Sequence, residues 1–177
     1  MKQAFAARAA RIPATAILAA CLAFSAVTQA EAEGPAVRQE EGKYFDKAGD
    51  PTYNVKEDGT VDWFTYSGFR RYHSACHVCH GPDALGSSYA PALAGSMNAM
   101  SYSDYLDVVV NGRKIVRADK TSYMPSFGEN SNVMCFIDDI YVYLKARAAD
   151  AVPRGRPEKR EDKPEAAREY EKSCFGQ

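Results

Sequence analysis

The sequence predicts an all-α domain, and three observations carry that expectation. Apolar residues recur at helical spacing in two well-separated segments, near 63–76 and near 132–149. A serine cap with an acid in the first turn opens a third helix near Ser101. No period-two alternation long enough for a useful strand is found between them. At 177 residues, 46% hydrophobic and 25% charged, the chain has room for one core of ordinary size and little room for a second.

The first thirty residues stand apart from this domain. MKQAFAARAARIPATAILAACLAFSAVTQA opens on Lys2, Arg8 and Arg11 without an acid. It continues as a small-residue apolar run from Ile12 to Val27 and meets its first acids at Glu31 and Glu33. That is the profile of a secretory signal peptide spanning 1–30, with cleavage expected after Ala30 or after Ala32. The run is short and alanine-rich for a retained membrane span. Leu18-Ala19-Ala20-Cys21 also looks like a bacterial lipoprotein processing site, but the apolar LAFSAV that follows disfavours lipidation of Cys21. A soluble exported protein with no stable membrane anchor is the expectation. Losing residues 1–30 removes three positive charges and moves the formal net charge from −1 to −4. Nothing in that balance suggests nucleic-acid binding.

Residues 31–61 are polar and loop-like, an N-terminal arm with turn signals at Ala48-Gly49-Asp50-Pro51 and Glu57-Asp58-Gly59. The main domain is expected over 62–150. Its first helix begins at Asp62 or Thr65 and runs toward Cys76, with Phe69, Tyr72 and Cys76 on one face. Residues 81–100, rich in Gly, Pro, Ser and Ala, read as a loop. Ser101 or Ser103 caps the next helix, SYSDYLDVVVNGR, with Asp104 in its first turn and Asn111-Gly112 as its stop. KIVRADKTSYMPSFGENS reads as a second loop. One longer helix follows, NVMCFIDDIYVYLKARAAD, where Cys135, Ile140, Tyr143 and Leu144 form an apolar stripe and Lys145 and Arg147 suit the C-terminal end. The charged tail, 151–177, is interrupted by Pro153, Pro157 and Pro164 and allows a short helix over Glu165–Lys172.

The chemistry sits in CHVCH, Cys76 to His80. Zinc needs four ligands, usually two cysteine pairs, and there is no second C-x-x-C. A thioredoxin-like redox pair needs a βαβ setting, which the helical pattern does not supply. Covalent haem attachment needs two thiols three residues apart for the two vinyl groups and a histidine directly after the second to bind iron. The motif meets those needs with Cys76, Cys79 and His80, and one haem c is expected. A low-spin iron takes a second axial ligand, and Met is a common one. Met97 and Met100 follow His80 too closely, and Met134 begins a helix expected to pack elsewhere. Met124 in SYMPSFG remains, beside the rigid Pro125. His73 and His77, four apart, and Arg70-Arg71 read as surface groups. Trp63, Tyr89 and Tyr123 are able to reach haem propionates but read better as packing. With Cys21 removed, Cys135 and Cys174 are the remaining pair, and an oxidising compartment favours a disulfide that tethers the tail.

These residues resemble the class I c-type cytochromes over roughly 62–149. In that family a glycine and an aromatic on the first helix cross an aliphatic and an aromatic on the last. Gly68, Tyr72, Ile140 and Tyr143 match them. Pro91 in APAL matches the family proline whose carbonyl receives the ring N–H of the proximal histidine, and Met124 matches the distal ligand. The resemblance implies a class I fold, three to five helices around one covalently bound haem.

A narrower resemblance, carried by VDWFTYSGFRRYHSACHVCHGPDALGSSYAPAL, VVVNGR, MPSFG, NVMCFIDDIYVYLKAR and the late cysteine, is to the four-cysteine cytochromes related to methanol metabolism. It implies a periplasmic one-electron carrier, not an enzyme. Its donor would be a quinoprotein methanol dehydrogenase, particularly the lanthanide-dependent type, and its acceptor a downstream cytochrome or terminal oxidase. Another quinoprotein alcohol dehydrogenase as donor, general donation to an oxidase, and a peroxidase-like haem enzyme are the alternatives.

Overall fold

The computed structural model describes residues 35–118 and 121–176. The signal peptide expected over 1–30 lies outside them.

Helix α1 (Trp63–Ala75) starts where Asp62 can cap it. One Asp62 oxygen accepts from the Thr65 N–H at 2.9 Å, and the other accepts from the Asn54 N–H at 2.9 Å and the Thr65 hydroxyl at 2.5 Å. The cap thus satisfies an end of the helix and ties the arm to it. Helix α2 (His77–His80) follows directly from Cys76, and a tight turn closed by the Leu85 N–H on the Pro82 carbonyl covers Pro82–Ala84 without helical angles at Asp83. Helix α3 (Leu93–Ser96) is a single turn. Helix α4 (Tyr102–Asn111) is capped by Ser101 and stopped by Gly112, as the sequence pattern predicts.

The long third helix is interrupted. Helix α5 (Ser131–Met134) and helix α6 (Ile137–Ala148) are separated at Cys135–Phe136, where Phe136 leaves the helical region at φ −132°, ψ 19°. Met134 therefore ends a short helix rather than beginning a long one. The stripe of Cys135, Ile140, Tyr143 and Leu144 is buried as its spacing predicts. Helix α7 (Glu165–Cys174) completes the tail.

The domain is mostly helical rather than all-α. Strands β1 (Arg38–Glu40), β2 (Lys43–Phe45) and β3 (Pro51–Thr52) form an antiparallel meander in the arm, with Gln39 opposite Tyr44 and Tyr44 opposite Thr52. Strands β4 (Arg113–Val116) and β5 (Thr121–Met124) form a hairpin where a loop is expected. These strands have two to four residues, too few for alternation to stand out from loop sequence. Seven α-helices occur among the described residues rather than three to five, because α2, α3 and α5 are one-turn pieces that periodicity cannot detect.

The core is the crossing of α1 and α6. It closes at Gly68, where a Cβ would lie 1.8 Å from the Asp139 carbonyl oxygen and 2.8 Å from Tyr143 Cβ. Around that point Tyr72 and Tyr143 are fully buried with ring centroids 5.5 Å apart, and Ile140 and Leu144 complete the contact.

The tail wraps α1. The Val61 N–H bonds the Lys159 carbonyl at 3.2 Å, and the Glu161 N–H returns to the Val61 carbonyl at 2.9 Å. The Arg160 guanidinium sits over Trp63 at 5.1 Å and over Tyr66 at 4.9 Å. A disulfide joins Cys135 to Cys174, and Phe175 packs on Phe136. Arg71, expected at the surface, lies 3.4 Å above the Phe136 ring instead, half-buried.

Candidate haem-binding site

Helix α1 ends at Cys76, whose N–H bonds the Tyr72 carbonyl at 2.8 Å. The Cys76 carbonyl then starts α2 by accepting from the Cys79 and His80 N–H groups at 3.2 and 3.0 Å. This turn sets Cys76, Cys79 and His80 side by side. Both cysteines carry free thiols, Cys76 half-buried and Cys79 exposed. Burial first, then the Cys79 sulfur, pushes the Cys76 thiol up to about 12. A redox-active cysteine is activated by the opposite shift. Among the described residues no three His, Cys, Asp or Glu side chains converge, so zinc has no ligand set at this motif.

His80 is buried, 8% exposed, and its Nδ1–H donates to the Pro91 carbonyl at 3.0 Å. A ring that donates from Nδ1 keeps its lone pair on Nε2, the form an iron atom binds. The loop between the two residues is folded tightly to allow this. The Gly86 N–H bonds the His80 carbonyl at 2.7 Å, the Ser87 hydroxyl bonds the Cys79 carbonyl at 2.5 Å, and the Tyr72 hydroxyl bonds the Gly81 carbonyl at 2.6 Å. Gly81 is required here: its φ is 74°, and a Cβ would lie 2.2 Å from the Gly86 oxygen.

Met124 ends strand β5, half-buried, opposite Arg113 in the hairpin. Its loop is hung from the end of α4. The Phe127 N–H and Gly128 N–H bond the Val109 and Val110 carbonyls at 2.9 and 3.1 Å, and the Ser126 hydroxyl bonds Val110 at 2.5 Å. Gly112, at φ 76°, lets the backbones pass: a Cβ there would meet the Met124 carbonyl oxygen at 2.6 Å. Met97 is fully buried and serves the core.

Leu93, Met100, Leu106, Val110, Met124 and Phe127 pack against the core on one side but stay only partly buried. They leave apolar side chains incompletely covered by the protein itself. Two free thiols at thioether spacing and a buried histidine with its tautomer set fit haem c.

Other expectations resolve differently. His73 and His77 are not simple surface groups. Their rings stack at 5.8 Å, the His73 ring also lies against Phe69 at 4.3 Å, and its Nδ1–H donates to the Phe69 carbonyl at 2.8 Å. Trp63 is core, whereas Tyr89 and Tyr123 are 80% and 73% exposed rather than packed. Sequence reasoning missed Asp83 and the tail segment against it. The only signal was an acid three residues past the motif.

Residues 65–144 match the family described as cytochrome c oxidase, cbb3-type, subunit III. Cytochrome c-553I of Paracoccus denitrificans is 50% identical over 136 residues, which is 77% of this chain and 60% of that protein. This chain thus spans less than two thirds of that relative's length. Cytochrome c-555 of Methylococcus capsulatus (Bath) is 38% identical over 100 residues, 56% of this chain and 75% of that protein. The crystal structure of the c-type cytochrome XoxG from Methylobacterium extorquens AM1 superposes with a TM-score of 0.72 at 53% identity, covering 78% of this chain and 85% of that one.

Proposed function

The chain belongs to the c-type cytochromes, and on that premise we propose that it is a periplasmic monohaem carrier. In this reading it takes electrons one at a time from a quinoprotein methanol dehydrogenase and passes them to a downstream cytochrome or terminal oxidase. Its cofactor is haem c and its task is electron transfer rather than enzymatic turnover. No described helix is long and apolar enough to cross a membrane.

When bound, the haem supplies reversible cycling between ferric and ferrous iron. Cys76 and Cys79 would hold it as thioethers. His80, oriented by its Nδ1–H bond to Pro91, would present Nε2 to the iron. Met124 would offer its thioether sulfur as a further ligand, on a loop that carries Pro125 and is bonded to Val109 and Val110. The His80–Pro91 hydrogen bond, set beside two free thiols, is the observation that carries the haem-site assignment. The donor assignment rests on the sequence resemblance to the methanol-related cytochromes and on the 53% identity to XoxG. A two-electron quinol donor requires two successive encounters, so docking is brief and electrostatics govern its rate more than its strength.

The test is stopped-flow reduction of the ferric holoprotein by purified quinoprotein methanol dehydrogenase and methanol. Haem reduction on the timescale of dehydrogenase turnover is expected, and its absence refutes the donor. The ferric optical spectrum should show a sulfur-to-iron band at its red end. A high-spin spectrum with fast peroxide turnover would instead mean an open iron position and a peroxidase-like protein.

A further inference from the structure

Three residues beyond His80 the backbone takes an unusual course. Asp83 and Ala84 are both buried and both left-handed, at φ 59° and 64°, a region that Asp visits as a single residue and that is costly for Ala unless other contacts hold the turn. Asp83 has such a contact on every polar group. Its N–H reaches His73 Nε2 at 3.4 Å, and its carbonyl accepts from the buried Arg147 Nε at 3.2 Å. One carboxylate oxygen accepts from the Gly155 N–H at 2.9 Å, and the other accepts from Arg154 Nε at 3.4 Å. The four donors and acceptors come from α1, α6 and the tail. Arg147 extends the link by donating to the Val152 carbonyl as well.

The loop held in this way is the one that carries His80. Gly86 closes back on the His80 carbonyl, and Tyr72 holds Gly81. With Gly81 and Gly86 in backbone contact, little slack remains between Asp83 and the imidazole.

On the reading that His80 ligates the iron, the geometry points to Asp83 as a positioning residue. The tail, through Gly155 and Arg154, clamps the loop that orients the His80 ring and thereby sets the reduction potential of the haem. The clamp is supplied by residues outside the 65–144 segment matched by the family. The site is built for an ionised carboxylate. Burial works to raise the Asp83 carboxyl, but the Gly155 N–H, Arg154 and Arg147 bring it below the usual range.

The test uses the full-length holoprotein with Asp83→Ala, Asp83→Asn and Arg154→Ala. Spectroelectrochemical titration reads the potential, NMR of the ferric form reads the hyperfine-shifted protons of the axial histidine, and thermal unfolding reads stability. Asp83→Ala should change the ferrous-to-ferric ratio at fixed solution potential by at least about threefold, roughly 30 mV for a one-electron couple, and move the histidine signals. Asp83→Asn keeps an acceptor for the Gly155 N–H and should recover more than half of the change in those signals. Arg154→Ala, whose side chain is 69% exposed, should give a smaller shift in potential at an unchanged melting temperature. A lower melting temperature with wild-type potential and wild-type histidine signals in Asp83→Ala overturns the inference. If Asp83→Ala does not fold, Arg154→Ala decides: no change in either signal overturns it. A wild-type protein without histidine-ligated haem would fail the site assignment instead, and the unmutated spectrum separates the two outcomes.

Discussion

Gly68→Ala adds one methyl group at the tightest point of the helix crossing. The added Cβ would lie 1.8 Å from the Asp139 carbonyl oxygen, 2.6 Å from its carbon and 2.8 Å from Tyr143 Cβ. Carbon and oxygen tolerate about 3.3 Å, so α1 and α6 must separate by about 1.5 Å. Gaps of 0.5–1 Å already forfeit a quarter to a half of each dispersion contact. The contacts at stake are those of the fully buried Tyr72 and Tyr143 and their neighbours Ile140 and Leu144. Overpacking costs typically 1–3 kcal/mol and at times more, while alanine in a helix returns about 1 kcal/mol relative to glycine. Because the clash is with backbone, which cannot swing aside, the cost falls at or above the upper end. The net expectation is a loss of at least about 2 kcal/mol, roughly thirtyfold in the folding equilibrium. Urea unfolding of the holoprotein, followed by far-UV circular dichroism, measures it, with Arg70→Ala on the exposed side of α1 as the control. A Gly68→Ala protein within about 0.5 kcal/mol of wild type would show that the crossing is not limited by this approach.

Three further outcomes follow from the same structure. Met124→Ala should abolish the sulfur-to-iron band and lower the reduction potential while leaving the haem covalently attached; retention of the band would assign the ligand to another residue. Replacing Cys135 and Cys174 together by serine opens a loop with sequence separation 39 and should cost roughly 3–4 kcal/mol by chain entropy, read as the difference in urea unfolding free energy. Asp139 is buried beside Gly68, and burial, reinforced by Asp138 and Asp62 against Ser67 and Lys43, pushes its carboxyl up to about 7. The folded protein therefore holds a proton that the unfolded chain releases from about pH 4 upward. The stability linked to that proton is fully present at low pH and is lost as pH rises through 7. Asp139→Asn should flatten this decline and gain on wild type at pH 8 relative to pH 5, with urea midpoints at both values as the check.

Much of the helical frame was legible because each signal was local. Asp62 and Ser101 cap the helices they precede, Gly112 ends one, and the stripe of Ile140, Tyr143 and Leu144 is buried as its spacing predicts. The haem motif was legible because its chemistry requires adjacent residues, and the Cys135–Cys174 link because the expected loss of Cys21 with a signal peptide leaves two thiols unassigned. What was not legible depends on partners distant in sequence. The break at Phe136 comes where a helix that periodicity would continue gives way to the contacts of Arg71 and Phe175 with that ring. The hairpin before Met124 and the meander of the arm are too short to show a period. Ala84 ordinarily avoids the left-handed conformation that it shares with Asp83, and the groups that hold Asp83 in place, His73, Arg147, Arg154 and Gly155, are distant in sequence.

The two ends of the described chain meet over α1. Val61 pairs with the tail at Lys159–Glu161 through an isolated bridge, the Gly42 backbone lies against Pro164, and Lys43 sits over the Tyr170 ring. A polypeptide emerges amino-terminus first, so the arm waits for nearly the whole remainder of the chain before its partners exist. CHVCH emerges well before Cys174. The Cys135–Cys174 bond forms only once residue 174 has followed, so the lock on the clasp of arm and tail is the last piece of the fold to become available.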